Sequence, residues 1–178
     1  MASVDSEMMT APVAAIESVP LPVKIVVAGG YAVGKTTFVG SISEIDPLTT
    51  EAALTTVSAD VDNEGDASAK TSTTVAMDFG RVGLGDELVL YLFGTPGQDR
   101  FRFMWDELTR GAIGAVVLLD TRRFEDCFGA VDYFEQAQVP FVVAINEFHS
   151  QLHHSPEEVR EALDIPSDIP VVTTCLLY

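Results

Sequence analysis

The chain has 178 residues, 47% of them hydrophobic and 21% charged, a balance that suits one folded domain with a sizeable core and excludes wholesale disorder. Asp and Glu number 27 against 10 Lys and Arg, for a formal net charge of −17, and the basic residues are scattered. A nucleic-acid partner needs clustered Lys and Arg, and an anionic membrane surface attracts basic patches, so both are excluded as expectations.

In chain order, residues 1–20 mix Ala, Ser, Pro, Met and acids without a period and are expected to form a disordered arm, with a single domain over 21–178. Val23–Ala28 is an apolar run closing on Gly29-Gly30 and reads as a buried strand. Lys35–Glu44 follows as an amphipathic helix, with Phe38, Ile42 and Ile45 on one face. The pattern then stops over 46–72, a stretch that holds Asp60, Asp62, Glu64 and Asp66 and reads as a long functional loop. Thr74–Val82 and Glu87–Phe93, joined by a glycine-bearing connection, predict an antiparallel hairpin. Beyond the breaker cluster Gly94-Thr95-Pro96-Gly97, a helix is expected over Arg100–Arg110 and a strand over Ile113–Leu119. A helix over Arg123–Gln136 and a strand over Pro140–Asn146 come next. Ser155-Pro156-Glu157-Glu158 is a capping box with proline at the first helical position, opening a helix to Leu163 before a last strand at Pro170–Thr174. Strands that alternate with helices imply a mostly parallel sheet covered on both faces. Two cysteines make no disulfide framework, and no apolar run reaches the roughly 18–20 residues that span a bilayer. A cytoplasmic protein without direct membrane insertion is expected.

One segment carries chemistry outright. Gly29-Gly30-Tyr31-Ala32-Val33-Gly34-Lys35-Thr36 matches G-x-x-x-x-G-K-[ST] between a predicted strand and a predicted helix. Glycines let such a loop turn its backbone N–H groups inward around an anion, and the helix N-terminus adds partial positive charge. Lys35 is placed to reach β- and γ-phosphates, and the Thr36 hydroxyl to ligate Mg²⁺, with Thr37 beside it.

From about Val23 to about Val172 the residues resemble the Ras-like small GTPases, in particular the bacterial gliding-motility and conservon-type branch. The resemblance implies a P-loop α/β/α sandwich with a six-stranded sheet of order 2-3-1-4-5-6, β2 antiparallel. It implies that Thr74, with Thr73 as runner-up, closes over the γ-phosphate and Mg²⁺. Gly94-Thr95-Pro96-Gly97-Gln98 stands where the family has D-x-x-G-Q. Gly97 would then bring its N–H to the γ-phosphate, and Gln98 would orient the attacking water. Gly94 replaces the aspartate that holds Mg²⁺ through water; Asp99 and Asp120 are nearby carboxylates, and neither matches the motif. Asn146-Glu147-Phe148-His149 stands where the family has N-K-x-D. Asn146 matches, while a neutral His149 has one acceptor nitrogen where the aspartate accepts two guanine hydrogen bonds. GTP or GDP is the first expected ligand and ATP stays open. The family's final helix has no counterpart before Tyr178.

The function implied by the resemblance is a switch that binds GTP with Mg²⁺ and hydrolyses it slowly. It would signal to activating and effector proteins, within a membrane-associated sensor-kinase complex that makes it peripheral to the membrane. The alternatives are a non-catalytic nucleotide-binding scaffold, and ATP or GTP binding without base selectivity. Among smaller signals, Phe101, Trp105 and Leu108 share one predicted helix face and read as core, with an effector patch exposed on switching as the alternative for the run Phe101, Phe103, Met104 and Trp105. Arg100 or Arg102 reads as solvated or salt-bridged, with an in-chain arginine finger as the alternative. Cys127 reads as a small buried hydrophobe.

Overall fold

The structure, a computed structural model, describes residues 19–55, 72–147 and 154–176. The N-terminal arm over 1–18, the acidic run Asp60–Asp66, and His149 and His153 lie outside the described residues. The elements are β1 (Leu21–Gly29), α1 (Lys35–Ile42), β2 (Leu48–Thr55), β3 (Ser72–Leu84), β4 (Leu88–Gly94), α2 (Trp105–Thr109), β5 (Gly114–Leu119), α3 (Glu125–Ala137), β6 (Phe141–Asn146), α4 (Pro156–Leu163) and β7 (Val171–Thr174).

They build one seven-stranded sheet of order β2-β3-β4-β1-β5-β6-β7. Without β2, its six strands follow the expected order and directions: β3 runs antiparallel to β4, and β4, β1, β5, β6 and β7 are parallel. The added edge strand β2 corrects part of the expected loop at 46–72, since it pairs antiparallel with β3 from Leu48↔Phe79 to Thr55↔Ser72. Its sequence, Leu-Thr-Thr-Glu-Ala-Ala-Leu-Thr, has no strict apolar alternation. The partner strand rather than an apolar face supplies its order, and sequence periodicity is blind to that.

The helix expected over Arg100–Arg110 is instead a 3₁₀ turn at Asp99–Met104 followed by the short α2. Phe101 and Trp105 are both buried while Phe103 is 65% exposed, and the tighter turn brings the two buried rings inward. Trp105 packs edge-on against Tyr133 and stacks near Phe134 of α3, which fixes the turn to the sheet's helical layer.

The core lies on both sheet faces, as a period of two requires. Val26, Ala28, Val117, Val143 and Ile145 meet Phe134, Val131 and Cys127 of α3 and Val159 and Leu163 of α4. On the other face, Val27, Leu118 and Ala144 meet Val39 of α1 and Leu176. Cys127 is inert: its sulfur donates to the Phe124 carbonyl at 3.0 Å, and burial pushes its thiol up to about 12. Cys175 is exposed. Maleimide at neutral pH is therefore expected to add one label per folded chain, at Cys175, and a second only after denaturation. Peptide mass spectrometry reads this directly, and native labelling of Cys127 would contradict the packing described.

Two features of the register position the site. Val27 of β1 pairs with Gly94 of β4, so the turns after both strands leave the same carboxyl edge side by side, where ligands of open α/β sheets bind. The β3–β4 register begins at Asp78↔Gly94. Residues 72–77 therefore pair only with β2 and form a ribbon that extends past the end of β4.

Candidate functional site

The turn after β1 is built from unusual backbone. Gly29 has φ 136°, Ala32 φ 59° and Gly34 φ 103°. A Cβ on Gly29 would meet the Leu118 carbonyl oxygen at 2.4 Å, so both conformation and space demand glycine there. Ala32 holds a left-handed conformation at a cost of about 1–2 kcal/mol. Such alternation turns successive N–H groups toward one concavity. Gly34 caps α1 without any side-chain hydrogen bond, so the first N–H groups of the helix face the loop's own concavity.

Lys35 opens α1 and folds back into the loop. Its Nζ donates to the carbonyls of Gly29 at 3.0 Å and Gly30 at 2.6 Å. Burial lowers its pKa to about 8, and the charge of Asp78 opposes that shift. Thr36 Oγ1 donates to Asp78 Oδ2 at 2.7 Å. Thr95 Oγ1 is buried and has no hydrogen-bond partner among the described residues. Gly97 closes the far side: a Cβ there would sit 2.6 Å from Lys35 Nζ and 3.0 Å from the Gly30 carbonyl oxygen. Lys35, Thr36, Thr37, Asp78, Thr95 and Gly97 together line a cleft of about 340 Å³ under Tyr31 and Ala32.

The geometry carries a pH dependence with a definite sign. Free Lys35 begins to lose its proton near pH 8, and a polyphosphate at its ammonium group stabilises the charged form. Binding above pH 8 therefore takes up a proton. Affinity for inorganic triphosphate is expected to fall as pH rises through about 8, with a limiting slope near tenfold per pH unit. Calorimetry in two buffers of different ionisation enthalpy measures the proton count, and a count of zero there would refute the assignment.

Asn146 braces the loop from β6. It is buried, and its Nδ2 donates to the Val33 carbonyl at 3.0 Å; its Oδ1 has no partner among the described residues. Buried amide oxygens are seldom left so.

Two expected residues lie elsewhere. Gln98 is exposed and lines a neighbouring polar cleft of about 390 Å³, which shares Tyr31 and Gly97 with the first. Thr74 pairs with Ala53 in the β2–β3 ladder, four residues ahead of Asp78, or about 13 Å along the strand. Arg102 stands over the Trp105 ring at 5.5 Å and crosses α3 at Gly129, where a Cβ would overlap its guanidinium. Asp120 is held by Arg122 at 2.7 Å, and that hydrogen bond lowers its pKa.

Asp78 is the site residue that the sequence reading passed over. Nothing local marks it, since it sits in a strand-like run; only the antiparallel register with Gly94 brings it to Thr36.

Comparison with known proteins places the chain. The family model described as "Conserved hypothetical ATP binding protein" matches residues 27–175. An uncharacterized protein of Methanocaldococcus jannaschii is 31% identical over 130 residues, 70% of each chain. Among solved structures, the G domain of the T. maritima FeoB iron transporter is 18% identical, with a TM-score of 0.60 over 88% of this chain and 89% of that one. The cytosolic domain of the same transporter in a GDP form has a TM-score of 0.61 at 16% identity, over 88% of this chain and 57% of that one. The FeoB G domain from Methanococcus jannaschii has a TM-score of 0.57 at 11% identity, over 87% and 86%. These likenesses show the P-loop GTPase fold. Among the described residues no helix is long and apolar enough to cross a membrane.

Proposed function

The chain belongs to the family of conserved hypothetical ATP binding proteins, and from that premise we propose that it is a nucleotide-dependent switch. It binds a nucleoside triphosphate with Mg²⁺ and hydrolyses the γ-phosphate slowly. The observation that carries this reading is the convergence of Lys35 Nζ, the Thr36 hydroxyl and the uncapped start of α1 on one cleft beneath a loop with three positive φ angles. In this reading the loop N–H groups and Lys35 hold the β- and γ-phosphates. The cleft offers only oxygen donors beside Thr36, which fits Mg²⁺. Mg²⁺, when bound there, neutralises charge on the phosphates. Gly97 presents its backbone N–H to the γ-phosphate, and Gln98 orients the water once its side chain turns past Tyr31. Thr74 closes over the phosphates once the β2–β3 ladder releases it.

GTP is the first ligand in this reading. The G-domain fold, one neighbour being a GDP form, supports it, as does the match of Asn146, which braces the loop at the Val33 carbonyl. The family's description supports ATP, which stands as the second reading. Competition of GTP against ATP, with and without Mg²⁺, decides between them. Tighter GTP binding is expected. Equal affinities would end the base selectivity, and failure of both to bind would end the nucleotide reading. Single-turnover γ-phosphate release separates the switch from a non-catalytic scaffold, which the placement of Gln98 in the neighbouring cleft favours.

The finer placement in the gliding-motility and conservon-type branch belongs to the same proposal and rests on the Gly94-Thr95-Pro96-Gly97-Gln98 run. With it come protein partners, an activator and an effector in a membrane-associated sensor-kinase complex, and a cytoplasmic location peripheral to the membrane. Tyr31, 61% exposed, lines both clefts, and Phe103 is 65% exposed next to Arg102 of the second; exposed aromatic rings support recognition by protein surfaces.

A further inference from the structure

We infer that Asp78 supplies the carboxylate that holds a divalent cation against the nucleotide phosphates, in place of the residue missing at position 94. The inference rests on the phosphate-site reading above and assigns its metal-holding group. Asp78 and Gly94 are direct partners across the antiparallel β3–β4 ladder, and partners in such a ladder project their Cβ atoms to the same face. A Cβ added to Gly94 would lie 3.1 Å from both Asp78 Cβ and Asp78 Oδ2. The space that a side chain on β4 would use is thus filled by the carboxylate from β3. Glycine at position 94 and aspartate at position 78 are two halves of one arrangement, with the acid carried by the neighbouring strand.

The carboxylate is aimed at the site. Asp78 is 6% exposed and its Oδ2 accepts from the Thr36 hydroxyl at 2.7 Å. A buried carboxylate next to a polyphosphate site repels its ligand unless a cation stands between them. Lys35 is one such cation, and its ammonium is turned to the Gly29 and Gly30 carbonyls. Thr95, 2% exposed, lines the same cleft, and its buried Oγ1 has no partner among the described residues. One carboxylate, two hydroxyls and phosphate oxygens make the hard, oxygen-only set that suits Mg²⁺, which keeps several waters and takes one or two carboxylates.

The competing role for Asp78 is a tether that joins α1 to β3 through Thr36, with no part in metal binding. Titration of the full chain with a fluorescent guanine or adenine triphosphate, in Mg²⁺ and in excess chelator, gives the ratio of metal-loaded to metal-free affinity. Asp78→Asn keeps an acceptor for Thr36 and is expected to lower this ratio by about 10–100-fold. The same variant is expected to weaken the bound Mn²⁺ signal in electron paramagnetic resonance of the Mn²⁺-nucleotide complex. Asp78→Gly with Gly94→Asp moves the carboxylate back across the ladder and is expected to restore the ratio. An unchanged ratio in Asp78→Asn, or no metal dependence in the wild type, overturns the inference while leaving nucleotide binding intact. Absence of nucleotide binding in the wild type overturns both readings together. If Asp78→Asn melts out by circular dichroism, the folded swap decides: a wild-type ratio supports the transfer, and a ratio near one refutes it.

Discussion

Lys35→Ala is expected to weaken nucleoside triphosphate binding by roughly 100-fold. A hydrogen bond to a charged group contributes about 1.5–3 kcal/mol, and 1.4 kcal/mol is tenfold in affinity. The effect falls at the top of that range because Lys35 is the one lysine or arginine among the described residues that lines this cleft. Lys24 is committed elsewhere, over the Phe93 ring at 4.9 Å and on the Arg110 carbonyl at 3.1 Å. Lys35 is already inside the site, with its ammonium held by the carbonyls of the loop that it would exchange for phosphate oxygens. Lys35→Arg is not a rescue, since the planar guanidinium cannot replace a compact ammonium against two converging carbonyls. Titration with a fluorescent triphosphate measures the loss, and a melting curve shows that the variant is folded. Affinity within threefold of wild type in a folded Lys35→Ala protein would remove the phosphate-loop assignment.

How much of this was legible in the chain depends on the range of the interaction. The loop Gly29–Thr36 and the Ser155 capping box are local, and both were plain. Ser155 Oγ accepts from the Glu158 N–H at 3.2 Å, and Glu158 Oε2 accepts from the Ser155 N–H at 2.8 Å. The alternation of strand and helix was enough for a mostly parallel sheet covered on both faces, while the strand order came only with the resemblance to the Ras-like fold. β2 was not legible, since its order comes from β3 rather than from its own pattern. Nor was the break between the 3₁₀ turn and α2, where burial of Phe101 and Trp105 overrides a helix-like spacing. Asp78 escaped for the sharpest reason. A missing aspartate at position 94 was visible in the sequence, but what fills its place is a relation between residues 16 positions apart, set by register alone. The empty place in the motif was itself the signal to search the paired strand.

Gln98→Leu is expected to slow single-turnover release of the γ-phosphate by about 100-fold, the low end of what a positioned proton-transfer or water-orienting group contributes. In the proposed reading the intrinsic rate it acts on is low for a structural reason. Phosphoryl transfer relies on neutralising charge spread over the γ-phosphate oxygens, and Arg102 is engaged at Trp105 and Gly129. The contribution that this reading leaves to Gln98 is the orientation of water. Gln98 sits one cleft away, beyond the Tyr31 and Gly97 wall that both clefts share. Its extended backbone, φ −99° and ψ 132°, leads straight into the 3₁₀ turn through the Phe101 N–H on the Gln98 carbonyl at 3.0 Å. In the proposed reading, residues 97–98 are the ones that must rearrange to bring the amide to the phosphate. Leucine at this position retains the bulk and loses both the donor and the acceptor, so it isolates water orientation from packing. A rate equal to wild type, with both at the background of Lys35→Ala, would leave nucleotide binding in place and assign the chain to the non-catalytic scaffolds. A drop confined to Gln98→Leu would show that the second cleft is the resting position of a catalytic side chain.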